Sequence, residues 1–122
     1  MGVAVHKILI ADDDARIRLV LRQIVMGLAS SICEAGDGEE AIAVCTAERP
    51  DWVIMDWRMA PVDGLSATAQ IKARFPDTHV IILSQDDDPG LRAEANRVGA
   101  CACVLKENLL QLESILTEGP GR

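Results

Sequence analysis

The sequence has no tyrosine and only one phenylalanine, so a core in a chain of 122 residues must be aliphatic, built from Ile, Leu, Val and Ala. Basic residues are also scarce: 12 Lys and Arg face 19 Asp and Glu, leaving a net charge of −7. That balance argues against this chain alone gripping a polyanion, because nucleic-acid binding leans on clustered cations. No apolar run approaches the roughly 20 residues that cross a bilayer. The opening "MGVAVHKILIADDD" leads from an apolar stretch straight into acids, which is not a signal-peptide layout. It also lacks the Ser or Thr at position six that a myristoylation signal wants. The compartment expected is the cytoplasm. CxxC and Cys/His ligand spacings are missing too, so Cys33, Cys45, Cys101 and Cys103 read as free thiols acting as small apolar residues. Cys101 and Cys103, two apart, are expected on one face of a strand.

What is present suits one domain, with 49% hydrophobic and 25% charged residues. Short apolar runs of strand length occur at 7–11, 31–35, 52–55, 80–84 and 101–105. Helical spacing lies between them. In the first such segment Ile17, Val20, Leu21, Ile24, Val25 and Leu28 form a stripe, and Asp14 is placed to cap it. Further helices are expected from Gly38 to Glu48, from Gly64 to Phe75 and from Pro89 towards Gly99. The last is expected from Glu107 to Thr117. Strand alternating with helix five times predicts an α/β fold, a parallel sheet with helices on both faces. The domain is taken as 1–122 with a core of about 6–118, and 119–122 as a flexible tail or the start of a linker. Trp52 and the methionines read as packing, Trp57 as a surface neighbour of Asp56, and His6 and His79 as structural.

Polar residues gather at the strand ends. Asp12 and Asp13 follow the first strand, Asp56 the third, Ser84 closes the fourth and Lys106 follows the fifth; the second ends in "EAGDG" with no comparable set. Carboxyl ends of an open parallel sheet share one edge, and sites form there where strand order reverses. Three carboxylates, a hydroxyl and an ammonium are therefore expected in one crevice. Clustered acids repel and take up protons unless a cation intervenes. Mg²⁺ suits such oxygen ligands and leaves room for a phosphoryl oxygen. Lys106 can pair with a phosphate and Ser84 can donate to one. Asp56 is the candidate nucleophile, a carboxylate able to form an aspartyl phosphate.

Four segments together resemble the receiver domain of two-component response regulators: "ILIADDDARIR", "VIMDWRMAPVDGL", "VIILSQDDD" and "GACACVLKEN". The resemblance implies a flavodoxin-like doubly wound five-stranded sheet of order 2-1-3-4-5 with five helices. It implies a signalling switch rather than an enzyme with a separate substrate. Asp56 would accept phosphate from a sensor histidine kinase or phosphotransfer protein. Asp13 and Asp56 would ligate Mg²⁺ with the Arg58 carbonyl, and Asp12 would act through water. Ser84 would close on the phosphoryl group and Lys106 would pair with it. That change would be read by a protein target on the face of the fourth helix, fifth strand and fifth helix, with homodimerisation left open.

The sequence departs from this pattern in places. The family's switch aromatic is here Cys103, the proline usually following the lysine is Glu107, and the loop proline sits one place late at Pro61. Arg58 and Asp86 occupy positions that tune dephosphorylation in this family. They either pair across the mouth of the site or are two solvated charges. Asp14 and the acids at 86–88 read as loop or cap residues. The alternatives are a phosphorylation-independent docking module and a receiver fragment of a longer DNA-binding regulator. A haloacid-dehalogenase-like hydrolase wants an acid where Arg58 stands, and the acidic, glycine-free "ADDDAR" suits no dinucleotide.

Overall fold

A computed structural model describes residues 6–119. Five strands, β1 (His6–Ala11), β2 (Ala29–Ala35), β3 (Trp52–Asp56), β4 (His79–Ser84) and β5 (Ala102–Leu105), form one parallel sheet of order β2-β1-β3-β4-β5. Helices α1 (Ala15–Val25), α2 (Gly38–Glu48), α3 (Gly64–Arg74), α4 (Pro89–Arg97) and α5 (Gln111–Glu118) connect and follow the strands. This is the doubly wound, flavodoxin-like arrangement expected. Strand order reverses at β1, between β2 and β3, and this places the carboxyl ends of β1 and β3 side by side. The part of the expected tail beyond Gly119 lies outside the described residues, as does Met1.

Each of the first four helices starts on an aspartate. Asp14, Asp37, Asp63 and Asp88 sit in extended backbone, and their side chains accept from main-chain N–H groups of the first turn. Asp14 and Asp88 thus act as caps. The last helix has no side-chain cap, and here the expected single helix from Glu107 is corrected. Lys106–Asn108 instead form a 3₁₀ turn, and α5 begins only at Gln111. Bonds from Leu112 N to Leu109 O and from Glu113 N to Leu110 O carry the chain between them in the tighter i→i+3 pattern. The first helix likewise stops at Val25, so Leu28 joins the core from a turn.

Alternation along the strands divides the core in two. Leu9, Val53, Met55, Val80 and Ile82 face α2, α3 and α4, whereas Ile8, Ile10, Trp52, Ile54, Ile81 and Leu83 face α1 and α5. Leu21 and Val25 of α1 and Leu112 and Leu116 of α5 are buried against the second layer. Each such side chain contributes about 1.5–3 kcal/mol by leaving water. Three expectations change. Val20 of the stripe is exposed, as is its neighbour Leu19. Met26 is 63% exposed and fills no core, unlike Met55 and Met59. Cys101 precedes β5 and packs on the α1–α5 side, while Cys103 packs on the other, so the two do not share a strand face. Burial pushes the Cys45 thiol up to about 12, which keeps it an uncharged apolar filler.

Candidate functional site

Asp12 follows β1 and is held on three sides. Its N–H donates to Ala35 O at 3.1 Å, continuing the β1–β2 ladder, and its Oδ1 accepts from Asp14 N at 2.9 Å. The side chain is 0% exposed, yet Oδ2 has no aligned hydrogen-bond donor. Its neighbour is Lys106 Nζ at 3.1 Å, which also lies 3.3 Å from Asp56 Oδ1. Asp13 is exposed at the rim. Asp12, Asp13 and Asp56 each bring one carboxylate oxygen to within 4.8 Å of the others. The sheet edge therefore gathers three acids and one ammonium, as their positions at strand ends predict.

One cation does not balance three carboxylates. Burial pushes the Asp56 carboxyl above its usual range, the Asp12 charge adds to the effect, and Lys106 opposes both. Burial would lower the Lys106 pKa, but the Asp56 and Asp12 carboxylates outweigh it and the net shift is upward. Lys106 is thus firmly charged, while the acids still carry excess negative charge. A buried acid oxygen that shares its one ammonium with Asp56, beside two further carboxylates, belongs to a donor set that fits a hard divalent cation.

A cleft of about 200 Å³ opens over these groups, lined among others by Asp13, Asp56, Trp57, Arg58, Asp86 and Lys106. Arg58 stacks on the half-buried Trp57, its guanidinium 5.0 Å from the ring centroid. Among the described residues Arg58 forms no ion pair with Asp86, although both edge the cleft.

Ser84, at the end of β4, is bonded to the loop that follows it. Its hydroxyl donates to Asp86 O at 2.6 Å and accepts from Asp86 N at 3.1 Å, closing a local turn. The alternation of β4 explains this: Ser84 shares parity with Val80 and Ile82, so its side chain leaves the sheet towards α4. Asp56 shares parity with Trp52 and Ile54 on the opposite face. Cys103 pairs with Ile82 in the ladder and lies on the Ser84 side of the sheet.

Two contributors were missed in the sequence. Arg18 donates to the carbonyl of Asp12, and Glu34 of β2 holds Arg18. The spacing of Arg18 and Arg22 puts both on one side of α1, but nothing in the sequence points them at Glu34. Gly64 is a further requirement of the site. A Cβ there would lie 2.2 Å from Asp56 O and 2.7 Å from Trp57 Cα, both backbone atoms that cannot step aside. Gly64→Ala is expected to cost about 3 kcal/mol by overpacking, measured as a lower urea midpoint at unchanged slope.

Residues 8–117 match the response regulator receiver domain. The chain belongs to that family. Curated relatives of this receiver include a protein-glutamate methylesterase/protein-glutamine glutaminase of Anaeromyxobacter dehalogenans, 41% identical over 70% of the chain and 27% of the relative. Another is the transcriptional activator ExaE of Pseudomonas putida, 37% identical over 81% of the chain and 47% of the relative. The receiver therefore spans between about a quarter and a half of these relatives. Among solved structures, the response regulator domain of Thermotoga maritima CheB matches with a TM-score of 0.78 at 30% identity, covering 93% of this chain and 90% of that one. The chemotaxis protein CheY4 of Vibrio cholerae shares the fold, with a TM-score of 0.82 at 24% identity over 93% and 99%.

Proposed function

We propose that this receiver is a phosphorylation-activated switch whose acceptor is Asp56. The observation that carries the reading is the convergence of the three carboxylates of Asp12, Asp13 and Asp56 beside the single ammonium of Lys106. An Asp56 oxygen attacks the phosphorus of a phosphohistidine, the P–N bond breaks, and the imidazole leaves. Lys106, already 3.3 Å from Asp56, is placed to pair with the incoming phosphoryl oxygens. Asp13, Asp56 and the Arg58 carbonyl would hold Mg²⁺, with Asp12 acting through water. When bound, the ion supplies positive charge that offsets the acids and stabilises the transferring group.

For Ser84 to reach the phosphoryl group, its hydroxyl must leave the Asp86 backbone. That exchange would move the loop before α4 and alter the face of α4, β5 and α5 that includes Cys103. The output is contact with a protein target; catalysis is limited to the chain's own phosphorylation and dephosphorylation. The donor is a sensor histidine kinase or phosphotransfer protein. A cleft of mixed character, lined by Val20, Ile24, Leu109 and Leu110 together with Glu107, Asn108 and Gln111, shares Lys106 with the acid cleft and supports docking beside Asp56. Among the described residues no helix is long and apolar enough to cross a membrane.

The test is intact mass after incubation with Mg²⁺ and acetyl phosphate, followed over time. One phosphoryl group, gained only with the metal and mapped to Asp56, is the expected result. No adduct at any time point would leave the docking module as the better reading.

A further inference from the structure

The Asp12 carbonyl is gripped by a charged group that belongs to none of the roles above. Arg18, in the first turn of α1, donates through Nη1 to that oxygen at 2.6 Å. Its Nε donates to Glu34 Oε1 at 2.9 Å, and Arg22 takes the other Glu34 oxygen with Nη2 at 2.8 Å. Glu34 is thus clamped between two arginines one helical turn apart. A guanidinium is a rigid planar fork, so anchoring one edge on Glu34 fixes where the other points. Asp13, by contrast, is exposed, and among the described residues its carboxylate has no hydrogen bond or ion pair. Its placement depends on the main chain that carries it.

We infer that Arg18 is a positioning residue for the carboxylate triad. By holding the Asp12 carbonyl it sets the plane of the peptide joining Asp12 to Asp13, and with it where Asp13 presents its oxygens to a divalent cation. Glu34 acts through Arg18, and α1 and β2 are thereby tied to the site. The inference rests on the cation-dependent reading above.

Charge and position predict opposite signs, which makes the role testable. A guanidinium beside the site repels a cation, so a purely electrostatic role means that Arg18→Gln binds Mg²⁺ more tightly. A positioning role means weaker binding, by about tenfold on the scale of outer-shell metal partners. Calorimetric Mg²⁺ titration of the full chain measures this, with urea unfolding alongside to separate stability from affinity. Arg22→Gln, which removes a Glu34 pair but leaves the Asp12 contact, is expected to change the Mg²⁺ Kd by less than about twofold. Glu34→Gln keeps the Arg18 charge but loosens its anchor, and is expected to weaken Mg²⁺ binding by less than Arg18→Gln. Should Arg18→Gln fold poorly, Glu34→Gln and Arg18→Lys carry the test. Folded Arg18 and Glu34 variants that bind Mg²⁺ as well as the wild type, or better, overturn the inference while leaving the cation site standing. A wild type that binds no Mg²⁺, or an Asp13→Asn variant that binds it normally, overturns the cation reading and the inference with it.

Discussion

Asp56→Asn is expected to take up no phosphoryl group while making the metal-free protein more stable. The first effect follows from losing the nucleophilic carboxylate: an amide oxygen forms no lasting acyl phosphate. The second follows from charge. Asp56 is 4% exposed and faces Asp12, and its carboxyl is raised by burial first and by Asp12 second. A folded-state value above the unfolded one means that the folded protein holds this proton more tightly. Its contribution to stability therefore falls as pH rises from the ordinary carboxylate range through the raised value, and stays low above that. Asparagine removes the ionisation, so the variant gains on the order of 1–2 kcal/mol at neutral pH, and the gain shrinks as the solution is acidified. Mg²⁺ stabilises the wild type and is expected to do far less for the variant, which narrows or reverses the difference. Urea midpoints across pH, with and without Mg²⁺, measure both. A variant less stable than the wild type at neutral pH without metal would mean that the three acids are not under mutual repulsion.

Lys106→Met should act in the opposite direction. Lys106 is the ammonium within reach of both Asp12 Oδ2 and Asp56 Oδ1, and its side chain is 15% exposed. A methionine fills similar space but leaves two buried carboxylates facing each other. Breaking a largely buried ion pair from one side costs about 3 kcal/mol or more. The deficit is full where Asp56 is ionised and declines as pH falls through its value, which the loss of Lys106 raises further. Added Mg²⁺ is expected to recover much of it. Modification of Asp56 remains possible in this variant, but the aspartyl phosphate loses the partner that links it to β5, so a phosphorylation-dependent shift in the α4–β5–α5 face should disappear. Equal stability of mutant and wild type at about pH 7 would mean that solvent, not Lys106, balances the acids.

The two variants share a lesson about what the sequence carries. Periodicity alone placed five strands and five helices, because short apolar runs and amphipathic stripes record which faces are buried. The acid pocket was legible for a related reason. Parallel strands must bring their carboxyl ends together, so Asp12, Asp13, Asp56 and Lys106 converge once the strands are recognised. Element ends that depend on one or two bonds were less legible. The uncapped start of α5 gave way to a 3₁₀ turn, and the apolar stripe of α1 outran its helix.

What only the tertiary structure decided is orientation and long-range pairing. Ser84 stands at a strand end like the acids, but one step of pleat turns its hydroxyl to the α4 side and into the Asp86 turn. Arg58 was open to pairing with Asp86 or to solvation, and its guanidinium instead lies over the ring of Trp57, a contact not read from the sequence. Arg18 and Glu34 are 16 residues apart and meet because α1 packs over β2. The sequence by itself determined the family, the fold and the identity of the acids, since these follow from local pattern and from topology. Which hydroxyl, arginine and carbonyl face which depends on three-dimensional packing, where a side chain's direction is set by neighbours that no local spacing records.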